Sequence, residues 1–136
     1  MGLLDTSHYG AIRALVRTDL DEVELPDETI ALPPFAPAAD LSVQSEDPAW
    51  DTRDGEALVH LQTAASYRAA ALLLRSLPQV TRRGVADKVT LWQPYDAEKR
   101  AQLLESRATG EIAEVLAEAR RFPVFFTAVG NNPRGR

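Results

Sequence analysis

Thr52-Arg-Asp-Gly-Glu-Ala-Leu-Val-His-Leu-Gln-Thr-Ala-Ala-Ser-Tyr-Arg-Ala-Ala-Ala-Leu-Leu-Leu-Arg-Ser-Leu77 decides how this chain folds. Leu58, Leu61, Ala65, Ala69, Leu72 and Leu73 recur at three and four residues, the spacing of one helix face. Ala64, Ala70 and Ala71 widen that face, so the helix packs on more than one side. At 1.5 Å per residue it would be roughly 35 Å long, the span of a small domain. Pro78 is expected to end it. A helix of this length at mid-sequence predicts a mainly α fold, a small bundle built around it.

The flanking segments fit that frame. Tyr9, Ile12, Leu15 and Val16 predict a first helix over about Ser7–Arg17, capped by Thr6 or Ser7. Thr18–Asp27 is an acidic connector with Asp19, Asp21, Glu22 and Glu24. A solvated connector accounts for these acids, because the Gly and regular oxygen positions of a calcium loop are missing. Pro26-Asp27-Glu28 reads as the start of a short helix with Asp27 as its cap, stopped by Pro33-Pro34. Pro34 can open the next helix, with Phe35, Ala38, Ala39 and Leu41 as a weak stripe. Trp50, in the loop over Glu46–Asp54, is read as a plug at the end of the core.

Beyond Pro78 the pattern changes. Val80 and Thr81, then Val89, Thr90, Leu91 and Trp92, are strand formers. They predict a short β-hairpin-like segment over about 79–93, with Arg82-Arg83-Gly84 at its loop. Asp96 is expected to cap a last helix carrying Ala101, Leu104, Ala108, Ile112, Val115 and Leu116. Gly110 marks a kink or break in it, with Thr109 recapping. Phe122-Pro-Val-Phe-Phe-Thr-Ala-Val-Gly130 then reads as an extended strand, followed by a polar tail. A strand with no hairpin mate needs either this domain's own sheet or another chain's edge. The expected organisation is a helical domain over 1–121 and an extended tail over 122–136.

Composition bounds the function. The chain has 136 residues, 45% hydrophobic and 26% charged, which is one globular domain rather than disorder. It contains no cysteine, which removes disulfides, thiolate metal sites and thiol nucleophiles and fits a cytosolic setting. The start shows no signal-peptide pattern, and no apolar run is long enough to span a bilayer. A net charge of −5 points away from tight duplex binding. His8 and His60 have no second ligand at metal spacing. No nucleophile elbow, phosphate-cradling loop or acid–base set is visible. The expectation is a binding or structural protein, not an enzyme, with no cofactor, no metal and no catalytic residue.

The order of elements carries a resemblance. A short first helix leads to the step Leu25-Pro26-Asp27-Glu28-Thr29-Ile30. An Ala-rich helix ends in Ser76-Leu77-Pro78, a β-like segment follows, and a closing helix carries Ala101, Leu104 and Ala108. Over about residues 8–120 the chain resembles the head–tail connector, or adaptor, proteins of tailed bacteriophages and related gene-transfer particles. It departs from them in the Pro-rich segment Leu32–Pro37 and in its apolar C-terminus. The resemblance implies a structural virion protein of the neck, assembled in the host cytoplasm. It would form a closed ring, typically of about twelve copies, beneath the portal protein. That ring would extend the DNA channel and dock a stopper or tail-terminator type neck protein, with DNA passing as non-sticking cargo. The alternative is a small helical protein-binding or regulatory module of a bacterial cell. The residues expected at protein interfaces are Arg82, Arg83, Phe122, Val124, Phe125, Phe126 and Val129.

Overall fold

The computed structural model describes residues 2–17, 22–84 and 94–121, with backbone alone over 77–84, 94, 95 and 121. The described residues fold into α1 (Tyr9–Val16), α2 (Asp27–Ile30), α3 (Ala36–Glu46), α4 (Gly55–Gly84) and α5 (Pro94–Arg121). Single 3-10 turns at Thr6–His8 and Trp50–Thr52 lead into α1 and α4. The fold is mainly helical, as the central apolar run predicts.

α4 is the axis of the bundle. Leu61, Ala64, Ala65, Ala69, Ala70, Ala71, Leu73 and Leu74 are all fully buried. Its thirty residues make it about 45 Å long, and the twenty-eight of α5 lie antiparallel to it. The direction follows from the packing. Leu61, Ala64 and Ala65 meet Ala108, Ile112 and Val115, whereas Ala69–Ala71, Leu73 and Leu74 meet Ala97, Ala101 and Leu104. Alanines along this seam let the two backbones approach closely. Ile12 and Val16 of α1, with Leu25, Ile30 and Phe35, complete one cluster; Leu3 and Val43 complete the other. Trp50 is half-buried and packs against the second cluster.

Several boundaries differ from the expectations, each for a local reason. Asp5, not Thr6 or Ser7, caps the first turn, accepting from the Ser7 amide at 2.9 Å while His8 Nδ1 accepts from the Asp5 amide. α2 follows Pro26, with Asp27 inside its first turn. α3 starts at Ala36, after Phe35, with Pro37 in its first turn instead of Pro34. Its buried row is Ala36, Ala39, Asp40 and Val43, and Leu41 faces out at 64% exposure.

The largest correction concerns Pro78. α4 runs through it to Gly84, so Val80 and Thr81 are helical and Arg82 and Arg83 lie in the last helical turn, not at a hairpin tip. A proline lacks an amide donor and crowds the preceding turn, which costs about 3 kcal/mol without forbidding the helix. No strand occurs among the described residues. The remainder of the expected hairpin, Val85–Gln93, and the expected terminal strand, Phe122–Gly130, lie outside them. α5 likewise passes unbroken through Gly110, where a Cβ would meet nothing within 4 Å. Thr109 does not recap there; its hydroxyl donates back to the Glu105 carbonyl at 3.1 Å. Asp96 sits in the first turn of α5, where its charge favours the helix N-terminus, rather than at the cap.

Candidate interaction surface

One face of α4 is left partly uncovered. Val59, Gln62, Thr63, Ser66 and Tyr67 stand at i, i+3, i+4, i+7 and i+8, a single helical row. α1 packs on this row but is only eight residues long, so it covers a fraction of it. Between them lies an open groove of about 570 Å³. Ala11, Ala14 and Leu15 form the α1 wall, with His8 at its start. The two alanines keep that wall low. Arg100 of α5 closes one end, its Nε and Nη2 donating to the Leu15 carbonyl at 3.4 and 3.3 Å. At the other end Val59 is 58% exposed. The volume falls within the range of about 300–1,000 Å³ typical of ligand pockets. The lining is mostly apolar, with Gln62, Thr63 and Ser66 as hydrogen-bonding groups. Such a surface suits apolar side chains carried on an extended or helical segment.

A second feature lies on another flank. His60 Nδ1 pairs with Glu111 Oε1 across the α4–α5 seam. That hydrogen bond, reinforced by the charges of Glu111, Glu114 and Glu56, raises the His60 pKa above its ordinary value. Glu118 and Val115 complete the wall of a small cavity of about 130 Å³ beside it. Glu56, Glu114 and Glu118 are exposed, which makes this flank acidic. Among the described residues, no group of three or more His, Asp or Glu side chains could hold a metal ion. No described helix is long and apolar enough to cross a membrane.

Ion pairs fix the helices that frame these surfaces. Arg75 of α4 donates from Nε to Glu98 at 2.9 Å and from Nη1 to Glu105 at 2.6 Å, bridging two turns of α5. The two carboxylates push the Arg75 pKa further up, and Arg75 holds Glu98 below the usual carboxylate range. Buried Arg13 donates from Nε to the Leu25 carbonyl at 2.6 Å and pairs with Asp27, tying α1 to α2. The acidic connector is therefore anchored at its far end, where Leu25 is 1% exposed, rather than wholly solvated. Buried Asp40 of α3 accepts from the Leu3 and Leu4 amides, each at 3.0 Å. A Cβ at Gly2 would stand 2.3 Å from Asp40 Oδ2, so only glycine allows this close approach.

The residues expected at interfaces are not brought together among the described residues. Arg82 and Arg83 are placed as backbone in α4. Phe122, Val124, Phe125, Phe126 and Val129 lie outside the described residues. The groove escaped sequence reading because its row is half polar, and only Val59 hinted at an uncovered apolar position. No protein-family model matches the chain, and no curated protein or solved structure matches it significantly.

Proposed function

We propose that the chain is a structural neck subunit, a head–tail connector that forms a ring beneath a portal and extends its DNA channel. The observation that carries the reading is the separation of an acidic flank from an open apolar groove on one helical bundle. A ring subunit needs both. Its lumen side must not hold DNA, and clustered carboxylates such as Glu56, Glu114 and Glu118 repel phosphates where lysines would bind them. Its lateral side must hold a neighbour, and an open groove with largely apolar walls does that. The helical part of the element order in the resemblance supports the same reading, although the first residues of its β-like segment, 79–84, belong to α4. The apolar run Phe122–Gly130 acts as the assembly element, and portal, neighbouring copies and the next neck protein are the partners. The role requires no catalysis and no cofactor.

The test is to mix the purified chain with the portal ring of its own particle and measure the mass of the assembly. A closed ring of copies added to the portal is the expected result. A chain that remains a monomer or dimer, indifferent to portal, would point instead to a protein-binding or regulatory module of a bacterial cell.

A further inference from the structure

We infer that the groove between α1 and α4 receives the Phe122–Gly130 run of a neighbouring copy of this chain. The inference rests on the ring-subunit reading and names the contact that links one subunit to the next. Residues 123–130 carry no charge, and neither does the centre of the groove. The aromatic pair Phe125 and Phe126 is the largest apolar group in that run. An extended segment sends adjacent side chains to opposite sides. One aromatic therefore enters between Ala11, Ala14 and Val59 while the other stays outside. Gln62, Thr63 and Ser66 are placed to hydrogen-bond the incoming main chain, the usual source of affinity when an extended segment docks.

The chain's own groove is out of reach for its own Phe125. Ala57, His60 and Ala64 form the row of α4 that faces α5, as the His60–Glu111 pair marks. At 3.6 residues per turn, Val59, Gln62 and Ser66 lie on the opposite side of α4. Glu114 and Glu118 stand level with Glu56 and His60. The end of α5 at Arg121 is thus further along, about 10 Å beyond Glu114. Phe125 is the fourth residue after Arg121, so it extends at most about 13 Å from it. A return path must cover the axial distance and also pass around a helix about 10–12 Å across. A neighbour's groove imposes no such detour.

The absence of cysteine makes a direct test possible. Full-length Val59→Cys protein is mixed with full-length Phe125→Cys protein, and separately with Phe126→Cys protein, under mild oxidation. Leu41→Cys, exposed on α3, replaces Val59→Cys as the control. A disulfide needs Cα atoms within about 7 Å, so only docked segments link efficiently. The expected result is a linked heterodimer with Val59→Cys for one of the two aromatics, at least tenfold above the Leu41→Cys control. Adding Val59→Arg to the aromatic partner, which blocks only that copy's own groove, should leave the link intact. Equal linking at Leu41, no linking, or an intramolecular bridge in a Val59→Cys/Phe125→Cys chain would overturn the inference. The two levels separate cleanly. Portal binding without the Val59 link sinks the groove assignment alone, and the link without portal binding sinks the adaptor reading alone.

Discussion

Arg53 grips the carboxylate of Asp47 with two parallel hydrogen bonds, Nε to Oδ2 at 2.9 Å and Nη2 to Oδ1 at 2.8 Å. Asp47 is almost wholly buried, its side chain 2% exposed, just after α3. The pair closes the turn that carries Trp50 between α3 and α4. The fork geometry suits a planar guanidinium and no other side chain. Arg53→Ala strands a buried charge, and breaking such a pair costs about 3 kcal/mol. Arg53→Lys should recover only part of that loss. Urea titration of the far-ultraviolet circular dichroism checks both. An Arg53→Ala midpoint equal to that of the unsubstituted chain would show that the pair contributes nothing.

Leu61 lies in the α4–α5 seam, two turns into α4, and is fully buried. Leu61→Asp places an unpaired carboxylate among Ala108, Ile112 and Val43, and the domain should lose its cooperative melt. Leu61→Ala should cost about 2–5 kcal/mol by transfer and cavity effects, leaving a folded protein. Thermal melts of the two variants order the effects; an unchanged melt for Leu61→Asp would misplace the core.

These two sites show what could be read from residues alone. The buried row of α4 was legible because its apolar residues repeat at three and four. Arg53 and Asp47 were not, since charged side chains read as surface until a partner is known. The same holds for Asp40 under the Leu3 and Leu4 amides, and for His60, whose partner Glu111 is fifty-one residues away. Pro78 and Gly110 mislead because a local cost in helix stability is not by itself a boundary. Around Pro78, Gln79, Arg82 and Arg83 are good helix formers, and at Gly110 the lost Cβ touches nothing. The β-branched Val80 and Thr81 mislead for the related reason that strand preference is weak and context overrides it.

The His60–Glu111 pair gives stability a pH dependence of definite sign. The folded-state pKa of His60 is raised above 6.5 by Glu111. Its contribution is therefore fully present below 6.5, while Glu111 stays ionised, and is lost as pH rises through the folded pKa. The stability difference between the unsubstituted chain and His60→Gln should shrink from mildly acid to alkaline pH. Denaturation midpoints for both proteins across that range measure it, and a difference independent of pH would contradict the pairing.

Arg82 and Arg83 occupy the last turn of α4, where positive charge complements the helix dipole. Replacing both with Glu should cost about 1 kcal/mol, more than substitution at an exposed loop. If they also meet a partner, assembly should weaken most at low salt, where exposed charges are least screened. Sedimentation across a salt series reads the second effect; assembly unaltered at every salt concentration would remove these arginines from the interface.

The central claim is that this domain assembles with neighbours and portal through its C-terminal run. Truncation after Arg121 removes that run and leaves the five helices of the described residues. The most direct measurement is the mass of the full-length and truncated proteins, alone and mixed with portal ring, beside their thermal melts. The account predicts that the truncated chain melts as before yet stays monomeric and leaves the portal bare, while the full-length chain adds a ring. A truncated chain that assembles as well as the full-length one, or a full-length chain that ignores the portal, would contradict it.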